Sequence, residues 1–130
     1  MKKFILTLFV CLMLATTSTN AAILKDDEGF SYIDNYNYLV FSAGSQVCSA
    51  YDLTSIHIVA DNNSRFEFNV IALTFRNKDL SISQRNITNF REDYGTGKIF
   101  VNGNLMRDYM QWGKTSREIY YKMKSAALSR

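Results

Sequence analysis

The sequence predicts an α+β fold: an antiparallel β-sheet of about five strands with a C-terminal α-helix packed on one face. Three observations carry this reading. Residues 65–76 alternate apolar and polar side chains with period two. Turn-forming clusters separate runs rich in β-branched residues. Residues 115–127 show helical spacing behind a capping signature. The chain has 130 residues, 47% hydrophobic and 21% charged, which fits one globular domain. That composition excludes a disordered tail, a collagen-like chain and a disulfide-stapled miniprotein.

The first segment reads as an address. Lys2 and Lys3 precede an apolar run from Phe4 to Ala15, and small and polar residues follow to Ala22. This is the layout of a secretory signal peptide. The run is too short for a membrane span, which needs about 20 apolar residues. Thr19 and Ala21 place small side chains where a signal peptidase accepts them, so cleavage is expected between Ala21 and Ala22. A buried N-terminal helix is the competing reading, and no later segment shares its composition. Cys11 follows Val10, not the small residue that precedes a lipid-modified cysteine. Residues 1–21 are thus expected to be a leader, 22–36 an irregular arm, and 37–130 a single α+β domain.

Once the leader is removed, one cysteine remains, Cys48, so no intramolecular disulfide is expected. Thirteen basic and twelve acidic residues remain, too even a balance for a nucleic-acid binder. The absence of proline excludes proline-rich docking motifs.

Along the mature chain, Tyr38–Ser42 reads as a first strand ended by Gly44-Ser45. Val47–Leu53 and Ser55–Ala60 read as further strand segments. Asp61-Asn62-Asn63-Ser64 is a turn, since Asn and Asp bond locally and tolerate a left-handed backbone. In the next strand Phe66, Phe68 and Val70 share a face. From Ile71 onward both faces turn apolar, which predicts two-sided burial or a bulge. Asn77-Lys78-Asp79 is a turn, and 80–87 is ambiguous. Phe90–Tyr94 and Lys98–Asn102 flank the glycine-bearing hairpin connection Gly95-Thr96-Gly97, and Asn102-Gly103 is a second turn. Thr115 and Glu118 fit a capping box, followed by Ile119, Tyr120, Met123, Ala126 and Ala127 on one helix face.

The chemistry-bearing residues are few. His57 is the sole histidine and is expected on the outer face of the sheet. Cys48 with His57 would make a thiol or hydrolase-type pair, but nothing beside Cys48 stabilises a thiolate. Asp26, Asp27 and Glu28 lack the oxygen spacing of a calcium loop. Glu92 and Asp93 point to opposite faces of a strand, which makes them poor acid–base partners. Gly95-Thr96-Gly97-Lys98 lacks the upstream glycine of a phosphate loop and has Ile99 where Ser or Thr is needed. No metal site or cofactor is expected. Asn62-Asn63-Ser64 and Asn86-Ile87-Thr88 match glycosylation acceptors, but behind a bacterial-looking leader they read as chance matches that mark exposed turns. Aromatics are abundant, and Tyr36, Trp112 and Tyr121 are the candidates for a binding surface. The acidic arm and the basic C-terminal segment are expected to attract a charged partner or each other.

Tyr51-Asp52-Leu53-Thr54-Ser55-Ile56, the hairpin into Phe66-Glu67-Phe68-Asn69-Val70, and Phe90–Val101 leading to Trp112 and a terminal helix together resemble small secreted bacterial proteins of the surface-adhesin protein E type. The resemblance covers about Val47 to Ala127. It implies an extracytoplasmic α+β domain that binds host or envelope components, and it supplies no catalytic residue. A cysteine pair would be expected in that family, and Cys48 has no second cysteine in the mature sequence.

The sequence therefore predicts an exported bacterial protein, periplasmic or at the cell surface. Its expected role is a non-enzymatic binding module for an envelope or host-surface macromolecule, with no integral membrane segment in the mature chain. The alternatives are the Cys48–His57 enzyme and an inhibitor or immunity-type protein acting through a turn near 102–112.

Overall fold

A computed structural model describes residues 23–111 and 113–130. The leader with its Ala21/Ala22 junction, and Trp112, lie outside the described residues. Eight strands follow in order: β1 (Ile23–Lys25), β2 (Ser31–Ile33), β3 (Tyr38–Ala43), β4 (Val47–Asp61), β5 (Arg65–Arg76), β6 (Ile82–Asp93), β7 (Lys98–Val101) and β8 (Asn104–Leu105). All pair antiparallel with their sequence neighbours in one sheet. A small ladder of β9 (Met110–Gln111) and β10 (Lys114–Thr115) leads into the helix α1 (Ser116–Leu128).

The antiparallel sheet with its terminal helix matches expectation, but the sheet has eight strands, not about five. The arm is the first reason, because it is not irregular throughout. Asp26 Oδ1 accepts the backbone N–H groups of Glu28 and Phe30 at 2.9 and 3.0 Å. This side-chain turn closes a β1–β2 hairpin in which Ile23 faces Ile33. The ambiguous 80–87 segment is the second reason: from Ile82 it is the first half of β6, paired with β5. The third is β8, joined to β7 by Asn102 and Gly103, both at positive φ (52° and 85°). Such a pair suits a two-residue hairpin turn.

The two segments read across 47–60 are one strand, β4, whose pairing with β5 shifts between Asp52 and His57. The side chains fill that break. Asp52 Oδ1 accepts from Thr54 N–H at 3.0 Å. Ser55 Oγ donates to the Asp52 carbonyl at 2.7 Å and accepts Ile71 N–H at 2.8 Å. Backbone groups left unpaired by the bulge are thereby satisfied.

β5 carries apolar residues on both faces without a bulge against β6 until Thr74. Phe66, Phe68 and Val70 join Phe90, Ile99, Ile119, Tyr120 and Met123 in the core between sheet and helix. Leu73 and Phe75, of opposite parity, join Ile23, Ile33, Val40, Cys48 and Ala50 in a second cluster. The buried face of β5 thus changes at Ile71, opposite the irregularity in β4, and beyond it Leu73 and Phe75 are buried while Ala72 and Thr74 on the other face are only half-buried. Rings dominate the first core: Phe68 stacks on Phe90 and Tyr120, with centroids 5.4 and 5.7 Å apart. Burying each such side chain is worth roughly 1.5–3 kcal/mol.

The helix begins as its sequence dictates. Thr115 Oγ1 accepts Glu118 N–H at 3.1 Å, and Glu118 Oε1 accepts Thr115 N–H at 2.8 Å. This closes both arms of the capping box. Ile119, Tyr120, Met123 and Ala127 are buried against the sheet.

Candidate functional site

A groove of about 440 Å³ opens beside the core, between α1, the sheet and the 104–109 segment. A bulge builds its wall. The β3–β4 register shifts between Val40 and Ser42, so Phe41 is the extra residue. Bulges re-aim side chains, and here the Phe41 ring stacks on Tyr51 at 4.1 Å with planes 19° apart. Tyr51 meets Phe90 edge-on at 5.5 Å. Met106 from the connecting segment and Ile119 and Met123 from α1 complete the apolar lining.

Polar groups in the groove are sparse. Tyr51 contributes a hydroxyl that makes no hydrogen bond with a described residue and is open to the groove. Burial raises its pKa, and the neighbouring Tyr109 adds to the effect. Among the described residues, Arg107 is the one charged residue lining the groove. It is exposed and makes no hydrogen bond or ion pair with a described residue. Asp108 is engaged elsewhere, accepting Arg117 N–H at 2.9 Å. An apolar recess with few convergent polar groups is the usual form of a small-molecule site.

A larger surface depression of about 580 Å³ lies between the β1–β2 turn and the outer side of α1. Its polar groups are mostly occupied by one another. Lys122 bridges Asp26 at 3.2 Å and Glu28 at 2.7 Å. Glu118 serves the helix cap, and Arg117 donates to the Gly97 carbonyl at 3.0 Å. Lys114 lies over the Phe30 ring at 4.5 Å. The acidic arm thus meets the basic helix within the molecule. This depression is a brace holding the N-terminal hairpin, and the smaller apolar groove is the better ligand site.

Glu92 anchors a third cluster. It accepts from Tyr121 Oη at 2.6 Å, Lys124 Nζ at 2.9 Å and Tyr120 Oη at 3.0 Å. Burial pushes its carboxyl up, but the hydrogen bonds from Tyr121, Lys124 and Tyr120 and the lysine charge reverse this, holding it below the ordinary glutamate value. Lys124 also donates to Tyr94 Oη at 2.9 Å. Burial lowers its pKa, and the bonds to Tyr94 and Glu92 more than restore it. Glu92 is therefore a saturated anion joining strand to helix. Asp93 pairs instead with Arg91 at 2.9 Å, so the two adjacent acids diverge as expected.

The structure scatters the residues singled out from sequence. Cys48 is buried opposite Phe75, and His57 is exposed opposite Asn69, nine positions along β4. Their partners Phe75 and Asn69 are six positions apart on β5, which at a rise of about 3.3 Å per residue separates the two by roughly 20 Å. The Cys48–His57 pair is not assembled. Tyr36 is exposed and packs edge-on against Tyr32 at 5.2 Å. Tyr121 spends its hydroxyl on Glu92. Neither lines the apolar groove. Sequence pattern alone does not single out Phe41, Tyr51, Met106, Arg107 and Met123 as binding residues. The stacked pair arises from a bulge, and the rest of the groove from helix docking. Only the density of aromatic residues signals such a recess in the sequence.

Among the described residues, no group of three or more His, Cys, Asp or Glu side chains is placed to hold a metal ion. No described helix is long and apolar enough to cross a membrane. No protein-family model matches this chain, and neither the curated proteins nor the solved structures contain a significant match to it.

Proposed function

We propose that this chain is an exported, non-enzymatic binding module of the bacterial envelope or surface, and that the groove beside α1 is its binding site. The observation carrying the proposal is the Tyr51 hydroxyl, exposed to an aromatic recess without a protein partner. A tyrosine hydroxyl that opens into an apolar recess and makes no bond to the protein is a polar handle that a ligand can engage. Export rests on the leader pattern in residues 1–21, and the resemblance to surface-adhesin protein E points the same way.

Two measurements test this reading. N-terminal sequencing of the protein from fractionated cells should return Ala22 in an extracytoplasmic fraction. Recovery of an uncleaved chain in the cytoplasm overturns export. The neutral dye 1-N-phenylnaphthylamine should bind one per chain. Asn104→Trp, an exposed substitution at the groove lining, should abolish binding without changing the melting temperature. Dye binding indifferent to that substitution removes the groove from the proposal.

A second reading, an inhibitor or immunity-type protein, is favoured by the exposed Leu105, Tyr109 and Met110 on the 104–111 segment. It predicts that Met110→Asp, outside the groove lining, abolishes a protein interaction while leaving dye binding intact.

A further inference from the structure

We infer that the groove takes an apolar monocarboxylate, a medium-chain fatty acid, with Arg107 holding its carboxylate and the Phe41–Tyr51–Phe90 wall receiving its chain. This inference rests on the groove being the binding site. Charge is the first argument. Among the described residues Arg107 is the one formal charge lining the groove, and no carboxylate among them pairs with it. A guanidinium beside an apolar wall favours an anion, and its planar fork matches a carboxylate with two parallel hydrogen bonds.

The count of charges is the second argument. One cation balances one negative charge, whereas a dianionic phosphate monoester would bring a second charge into an apolar recess with no counter-ion. A cationic amphiphile would meet Arg107 directly. Wall chemistry is the third. Met106 and Met123 flank the rings, and thioether side chains adapt to flexible, unbranched chains. The volume of about 440 Å³ falls within the range of small-ligand sites. The acid neutralises Arg107 while the wall removes its chain from water.

The test uses the leaderless protein with methyl-labelled methionine, titrated below the micelle threshold with decanoate, decanol and decyltrimethylammonium. Met106 and Met123 line the groove and Met110 does not, so the methyl signals separate groove binding from surface adsorption. Decanoate should shift Met106 and Met123 saturably, with decanol at least about tenfold weaker and the cation weaker still. Arg107→Gln should weaken decanoate about tenfold and leave decanol unchanged. As Arg107 is exposed, the substitution should not unfold the chain. Equal affinity for decanoate and decanol, or no effect of Arg107→Gln, overturns the carboxylate assignment while the groove stands as an apolar site. No shift at Met106 or Met123 with any probe overturns the inference. Loss of neutral-dye binding in Asn104→Trp would then show that the binding-site reading survives on its own.

Discussion

Tyr121 donates its hydroxyl to the Glu92 carboxylate at 2.6 Å, tying α1 to β6 next to the ion pair that Glu92 forms with Lys124. Glu92 and Lys124 side chains are only 8% and 17% exposed, so the pair is shielded enough to matter. Glu92→Gln leaves Lys124 partly buried without its counter-charge. It should cost about 2–3 kcal/mol, between a lost charge-assisted bond and a broken buried pair. The pH dependence has a definite sign. The folded carboxyl is held below its ordinary value of 4.5. Its stabilisation is therefore present above that value and is lost as the pH falls through the folded one. Urea midpoints should differ most between wild type and Glu92→Gln at neutral pH and converge as the pH falls well below 4.5. A constant difference across that range would mean that the charge of Glu92 is irrelevant.

Asp26 organises the N-terminal hairpin through both oxygens. Besides the two backbone bonds of the turn, Oδ2 accepts Tyr32 Oη at 2.6 Å and meets Lys122 at 3.2 Å. Asp26→Ala should destabilise by about 2 kcal/mol, in line with losing a side-chain cap and a charge-assisted bond. Asp26→Asn keeps a backbone acceptor and should cost roughly half as much. Hydrogen exchange is the more telling measurement. Amides of Leu24 to Tyr32 should lose protection in Asp26→Ala while β5 keeps it. Uniform loss across the sheet would mean that the hairpin and the core unfold together.

These two contacts also show what the sequence makes legible. Turns closed by bonds spanning two or three residues are readable: Asn62 accepting from Ser64 and Arg65, or Thr115 with Glu118. Their donors and acceptors sit within one window of sequence. The β1–β2 hairpin is not readable in the same way. It is braced by Lys122, which lies 94 positions from Glu28. Without that brace its three-residue strands resemble a mixed loop. Phe41 shows a second limit. Its contact with Tyr51 depends on one extra residue in β3, and alternation alone places no bulge there. Strand parity alone separates Glu92 from Asp93. Its bonds to Tyr120 and Tyr121 required the helix to be docked.

Two tyrosines distinguish structural from ligand-facing hydroxyls. Tyr120 is fully buried and donates to Glu92 at 3.0 Å, whereas the Tyr51 hydroxyl has no described partner. Tyr120→Phe should cost about 1–2 kcal/mol, and Tyr51→Phe should stay within about 0.5 kcal/mol of wild type. Denaturant melts of the two variants check this directly. A large loss in Tyr51→Phe would mean that its hydroxyl serves the fold, which would weaken the case for a ligand there.

Asn102 does two jobs at the β7–β8 turn, and glycine and alanine separate them. Its φ of 52° lies in the left-handed region, where asparagine is tolerated and alanine is strained. Its Oδ1 also accepts Asn89 N–H at 2.8 Å, while its own N–H donates to the Asn89 carbonyl at 2.8 Å. The side chain thereby extends the β6–β7 pairing by one position. Asn102→Gly loses the side-chain bond but keeps the backbone at ease, so it should cost about 1 kcal/mol. Asn102→Ala loses both and should cost about 1 kcal/mol more. Equal melting temperatures for the two variants would mean that the left-handed backbone at 102 carries no strain. A loss confined to Asn102→Ala would mean instead that the bond to Asn89 contributes nothing. Because the turn leads into the segment carrying Met106 and Arg107, both variants should also loosen the groove wall. That predicts weaker neutral-dye binding even under conditions where the chain stays fully folded.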